Sequence, residues 1–184
     1  GNGLTGLAID QPSSDIIVSN SLFVTGSAPV FSFHQSSPAG DQSTISSQNC
    51  RVLSSTLVAE SIWNIAEGTA DQIPGMLINT VNSLIACSGE NTDRPMFRAK
   101  GRFNASSGDN AAVSGPTRWL DWKTKASVFC GWRELVRIES DAGKPIVHLN
   151  NKQDWQNFWK QSLAVNPFHT ERWPTRPIDD LARA

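Results

Sequence analysis

The side chains with the clearest means of meeting a ligand are a basic stretch and a pair of tryptophans. Arg94, Arg98, Lys100 and Arg102 lie close together in the chain. On a strand, alternate residues share a face, so Arg98, Lys100 and Arg102 would project together. Such a row suits an anionic polysaccharide, although a solvated outer face is the commoner fate of a basic run. Trp63 and Trp119 could stack on sugar rings, since an aromatic face is a platform for apolar C–H patches. The competing role for Trp63, Trp119 and Trp122 is to fill the core. Trp119 and Trp122, three apart, would face opposite sides of a strand.

Catalytic chemistry is harder to assemble. Glycoside hydrolysis needs two carboxylates facing each other across the bond. The candidates, Glu60, Glu67, Asp93 and Asp109, have separations that set no common face, and solvated turn carboxylates are the alternative. His34, at the end of an apolar run, could serve as a general base, but a lone strand-end histidine is more often a surface or hydrogen-bonded residue. There is no GxSxG motif. Cys50, Cys87 and Cys130 form no CxxC pair, and His34, His148 and His169 are distant from them in sequence. An odd, sparse cysteine count makes no disulfide framework, and buried thiols are the expectation. No catalytic residue, metal or cofactor is expected.

The chain that must position these residues has 184 residues and a formal net charge of -1, which does not suit nucleic acid or an anionic membrane as the main partner. Only 18% of residues are charged, so neutral polar groups must supply much of the surface. No run approaches the length needed to span a bilayer, and Gly1-Asn2-Gly3-Leu4 shows no targeting signal. Texture changes along the chain. Residues 1–115 are rich in Ser, Asn, Gly and β-branched types, whereas six of the seven Trp lie beyond 115.

The first part repeats itself. Ile16-Ile17-Val18-Ser19-Asn20-Ser21-Leu22-Phe23, Ile45-Ser46-Ser47-Gln48-Asn49-Cys50-Arg51-Val52 and Ile78-Asn79-Thr80-Val81-Asn82-Ser83-Leu84-Ile85 all fit Ile-x-x-x-Asn-(Ser/Cys)-x-apolar. The asparagines are 29 and 33 residues apart, a period typical of stacked repeats. The apolar residue three after each Asn can face inward only if the chain bends there, and Asn tolerates the left-handed backbone of such a bend. Stacked copies would set Asn20, Asn49 and Asn82 in a ladder whose amides satisfy one another. A second apolar run follows each copy: Val30-Phe31-Ser32-Phe33, Ile62-Trp63-Asn64-Ile65 and Met96-Phe97-Arg98-Ala99. The pattern predicts a mainly β chain, a right-handed parallel β-helix of about three to four coils. An antiparallel sandwich or jelly roll is the rival, disfavoured because it has no reason to reuse Asn at one phase of its strands.

The remainder reads as terminal rungs and a Trp-rich cap over 116–169, with residues 170–184 as a tail. Arg118–Trp122, Ala126–Cys130 and Glu134–Ile138 are strand-like. Asn151 is a good N-cap for one short α-helix, with Asp154 in its first turn and Trp155, Phe158, Trp159 and Leu163 at helical spacing. This apolar stripe would cover one end of the stack, where the last rung exposes side chains and unpaired edges.

The Ile-x-x-x-Asn-(Ser/Cys)-x-apolar rungs resemble those of right-handed parallel β-helix proteins of the pectate-lyase-like superfamily. The stretch from Met96 through Trp119-Leu120-Asp121-Trp122, Gly131-Trp132, Gly143-Lys144-Pro145-Ile146 and Asp154–Trp159 is similar to the C-terminal end of large bacterial β-helix proteins, some of them kinase-linked. That superfamily holds lyases, hydrolases, tailspikes and structural repeats, and fold does not select among them. Its catalytic Asp-with-Arg/Lys clusters find no match here, nor does any kinase motif. The resulting expectation is a non-catalytic scaffold or binding module from the C-terminal part of a larger cell-surface or extracellular protein. It would contact polysaccharide, protein partners or other domains of its parent. A polysaccharide-degrading enzyme or tailspike-like depolymerase fragment is the alternative.

Overall fold

A computed structural model describes residues 6–9, 14–34, 47–66, 75–88, 94–100, 120–139, 145–159 and 167–169. Fifteen strands and one helix occur among them. The strands are β1 (Leu7–Ile9), β2 (Ser14–Ser19), β3 (Leu22–Val24), β4 (Phe31–His34), β5 (Ser47–Leu53), β6 (Thr56–Ala59), β7 (Trp63–Ala66), β8 (Gly75–Val81), β9 (Leu84–Cys87), β10 (Phe97–Lys100), β11 (Leu120–Lys125), β12 (Val128–Cys130), β13 (Val136–Glu139), β14 (Pro145–Leu149) and β15 (Phe168–His169). The helix, α1, spans Lys152–Trp159.

The strands fall into three sheets. One has six strands in the order β1-β4-β7-β10-β13-β14, one has four in the order β11-β8-β5-β2, and one has five in the order β15-β12-β9-β6-β3. All pairings are parallel except β13 with β14. The expectation of one right-handed parallel β-helix of three to four coils is therefore corrected. The chain is mainly β, but it is built as three mostly parallel sheets of unequal size, one closed by an antiparallel strand, and no single right-handed helix is shown. Motif spacing reports where the chain bends. It carries no information on the hand of the connections or on how strands divide among sheets.

Each sheet turns one row of apolar residues inward in register. Phe31, Trp63, Phe97 and Val136 align across β4, β7, β10 and β13. Cys50, Ile78 and Trp122 align across β5, β8 and β11, and Leu57, Ile85 and Phe129 across β6, β9 and β12. All of these are buried in one core. The period-2 alternation of strands puts the intervening polar residues outside.

The bends between the four-stranded and five-stranded sheets repeat closely. Asn20, Ser54, Asn82 and Ala126 all have left-handed backbone, with φ between 48 and 50°. The amide of each of the first three donates to the strand end of the next: Asn20 to Leu53, Ser54 to Val81, Asn82 to Lys125. The ladder of Asn20, Asn49 and Asn82 is corrected accordingly. Asn49 lies inside β5, opposite Asp15 and Leu77, while Ser54 holds the bend between Asn20 and Asn82. The second copy of the motif is offset by five residues, because serine can take the left-handed bend at modest cost and leaves Asn free to sit elsewhere.

The side-chain ladder belongs to the next residue. Ser55 Oγ accepts from Ser21 N–H, Ser83 Oγ from Ser55 N–H, and Ser127 Oγ from Ser83 N–H. Each hydroxyl donates back to the carbonyl two residues earlier: Ser21 to Ser19, Ser55 to Leu53, Ser83 to Val81, Ser127 to Lys125. Buried main-chain amides at the bends are thus satisfied from one layer to the next.

At one end of the core α1 packs its apolar side. Asn151 caps it: Asp154 N–H donates to Asn151 Oδ1, while Asn151 Nδ2 and the Asn150 amide donate to Asp154 Oδ2. Trp155 is fully buried, with ring centroids 4.7 Å from Trp122, 4.3 Å from Trp159 and 5.2 Å from Phe168. Among the described residues, no helix is long and apolar enough to cross a membrane.

Candidate functional site

The outer face of the six-stranded sheet carries Arg98, Lys100, Arg137, Glu139 and His148 among the described residues. The alternation in Phe97-Arg98-Ala99-Lys100 buries Phe97 and Ala99 and turns Arg98 outward. The same alternation in β13 buries Val136 and Ile138 and turns Arg137 outward, and β14 places His148 beside the buried Leu149. Register aligns these residues into one polar row running across the strands: Ser32, Asn64, Arg98, Arg137, His148. Neighbouring positions in such a row are separated by about 4.8 Å, the spacing of paired strands.

Arg98 and Arg137 are direct cross-strand neighbours, which is unfavourable for like charges unless compensated. Two carboxylates compensate. Arg98 donates from Nε at 3.0 Å and from Nη2 at 2.7 Å to Glu139 Oε2. Arg137 donates from Nε at 2.9 Å to Glu134 Oε1 and from Nη2 to Oε2, a two-pronged contact. His148 Nε2 lies 2.8 Å from Glu134 Oε1. The single carboxylate of Glu134 therefore fixes both Arg137 and His148, tying β14 to the segment before β13. Lys100 is in register with Glu139.

The basic residues proposed from sequence separate into two groups. Arg98 and Lys100 belong to this face, while Arg102 and Trp119 lie outside the described residues. Trp63 does not reach the face. Its ring is wholly buried, 6.1 Å from Phe31 and 4.7 Å from Trp122, with no surface left for a sugar ring. Its indole donates to Cys50 Sγ at 3.5 Å. Trp122 is equally buried. Arg94 is remote in role: it pairs with Glu60 at 3.2 Å and donates to the Ser27 carbonyl. Glu67, Asp93 and Asp109 lie outside the described residues, and His34 ends β4 opposite Ala66.

Glu134, Arg137 and His148 were not visible as a site from sequence. The available signal was modest: Arg137 sits between Val136 and Ile138, and His148 between Val147 and Leu149, each the polar member of an alternating strand. Nothing in the spacing shows that Glu134 would bind both.

The cysteines are structural in character. Cys50 and Cys87 are buried, and none of the three cysteines is in a disulfide. Burial pushes the Cys50 thiol up to about 12, against the smaller opposing effect of the Trp63 hydrogen bond. A thiol held in that state is a poor nucleophile and packs as a small apolar group. No His/Cys/Asp/Glu group suited to a metal ion occurs among the described residues. No family model, curated protein or solved structure matches the chain.

Proposed function

We propose that this chain is a non-catalytic scaffold and binding module of a larger surface or extracellular protein, presenting the outer face of its six-stranded sheet to glycans or to protein partners. The observation that carries the reading is how the charged side chains of that face are held. Glu134 and Glu139 are spent on Arg98, Arg137 and His148, so each carboxylate acts as a structural counter-ion. A glycosidase needs two carboxylates aimed at opposite sides of one bond. Here they sit behind the guanidinium groups of Arg98 and Arg137. The rigid serine-laddered bends and the aromatic core beneath the face supply the stiffness that a positioned binding surface requires.

The test is a panel of glycans and of extracellular-protein fractions presented to the purified chain, with binding read by interferometry and turnover by release of new reducing ends. Saturable binding without turnover supports the module. Turnover that survives purification and scales with protein would overturn it in favour of a depolymerase.

A further inference from the structure

We infer that Arg98, Arg137 and His148 form a receptor for the oxyanion groups, carboxylate or sulfate, of an acidic polysaccharide lying across the strands of the six-stranded sheet. The inference rests on the reading of this face as a binding surface and names what it binds.

In the three side-chain contacts shown on the face among the described residues the carboxylate is sunk and its nitrogen partner is raised. Side-chain exposures are 46% for Arg98 against 11% for Glu139, 28% for Arg137 against 7% for Glu134, and 53% for His148 against the same 7%. In the other ion pairs among the described residues the acid keeps more of its surface: Glu60 is 27% exposed beside Arg94 at 53%. Arg51 is less exposed than its partner Asp15, at 39% against 54%, and Lys123 and Asp121 are both open to solvent. Charges of both signs meet the water there, whereas the six-stranded face offers water its positive ends.

Geometry adds to this. A guanidinium is a planar fork with five N–H donors. Arg98 uses Nε and one Nη2 bond on Glu139, so its Nη1 edge has no bonded partner among the described residues. The carboxylate holds the fork still, which lowers the ordering cost when an oxyanion arrives. Asn64, next in the row, adds a neutral amide. A row with a donor on each successive strand matches a polymer bearing repeated acidic groups better than it matches a single small anion.

The experiment titrates the whole chain with alginate, dextran sulfate and neutral dextran at low and high salt. The expected result is binding of one or both acidic polymers, weakened as salt rises, with dextran silent. Alginate alone would assign the site to carboxylates and dextran sulfate alone to sulfates. Arg98→Gln and His148→Gln, which keep a donor toward Glu139 and Glu134, should each weaken binding roughly tenfold. Lys123→Gln, on the four-stranded sheet, should leave it unchanged. Should Arg98→Gln fail to fold by thermal melting, His148→Gln carries the test, since its side chain is half exposed. Equal binding of dextran, or equal loss in Lys123→Gln, would overturn the oxyanion receptor. Binding confined to neutral glycans or to protein would overturn it while leaving the module reading intact, and absence of binding to every class would sink both.

Discussion

Replacing Ser83 by alanine should destabilise the fold by about 2 kcal/mol, more than its small side chain suggests. Ser83 Oγ accepts from the Ser55 amide at 3.2 Å, and its single proton lies within reach of the carbonyls of Val81 at 2.8 Å and Val52 at 3.2 Å. Ser55 is itself buried. Its amide would have no water to turn to, and an orphaned buried donor costs roughly 1–3 kcal/mol. That is on the order of thirtyfold in the unfolding equilibrium at 1.4 kcal/mol per tenfold. The ladder makes the effect graded. Ser127→Ala strands the buried Ser83 amide and should match Ser83→Ala. Ser55→Ala strands the amide of Ser21, a partly exposed residue between the exposed Asn20 and Leu22, and should cost about 1 kcal/mol. Ser21→Ala leaves no amide of the ladder without its acceptor and should stay within about 0.5 kcal/mol of the parent. Urea unfolding followed by tryptophan fluorescence reads all four, with the slope unchanged. If Ser83→Ala and Ser21→Ala are equally mild, the hydroxyls are ornaments and the reasoning fails.

Three other outcomes follow from the same structure. Ala126 holds a left-handed bend at φ 50° that costs a residue with a Cβ roughly 1 kcal/mol or more, so Ala126→Asn should stabilise by about 0.5–1 kcal/mol and Ala126→Val should destabilise, read by urea unfolding. Cys50 has its thiol raised above the ordinary 9.0, so the folded state holds its proton more tightly than the unfolded chain. Its contribution is intact below pH 9 and is lost between about 9 and 12, at up to about 1.4 kcal/mol per pH unit, and Cys50→Ala should flatten that slope in chemical unfolding. Trp155→Ala removes a fully buried ring from between Trp122, Trp159 and Phe168, and should cost roughly 3–5 kcal/mol with loss of near-UV circular dichroism.

What the sequence makes legible is local. The apolar runs Val30–Phe33, Ile62–Ile65 and Met96–Ala99 supply β4, β7 and β10, neighbours in one sheet, because period-2 alternation is a property of short segments. The α1 cap is legible for the same reason: Asn151 and Asp154 are three apart and meet through local hydrogen bonds. Asn49 can sit inside a strand because the bend prefers Asn without requiring it. Ser54 and Ala126 occupy the same backbone region, so residue type alone does not mark the bend. The invariant signal is the serine one place later, at 21, 55, 83 and 127; the hydroxyls of the last three accept from the amide of the serine before. The charged face was half legible. Arg98 and Lys100 share a strand and a side, but Arg137, His148 and Glu134 join them only through pairings of β10 with β13 and of β13 with β14. Trp63 shows the limit in the other direction: a large amphipathic ring gives no sequence sign of which way it points, and the core took it.

Successive bends are hydrogen-bonded to one another, and scalar couplings across hydrogen bonds measure that directly. In a deuterated, 13C,15N-labelled sample, a long-range HNCO experiment should connect Asn20 N to the Leu53 carbonyl, Ser54 N to that of Val81, and Asn82 N to that of Lys125. Those three cross-peaks together would place the bends in consecutive layers. Couplings from these amides to other carbonyls, or fast solvent exchange at the Ser54 amide, would contradict the arrangement on which the face, the ladder and the proposed receptor all stand.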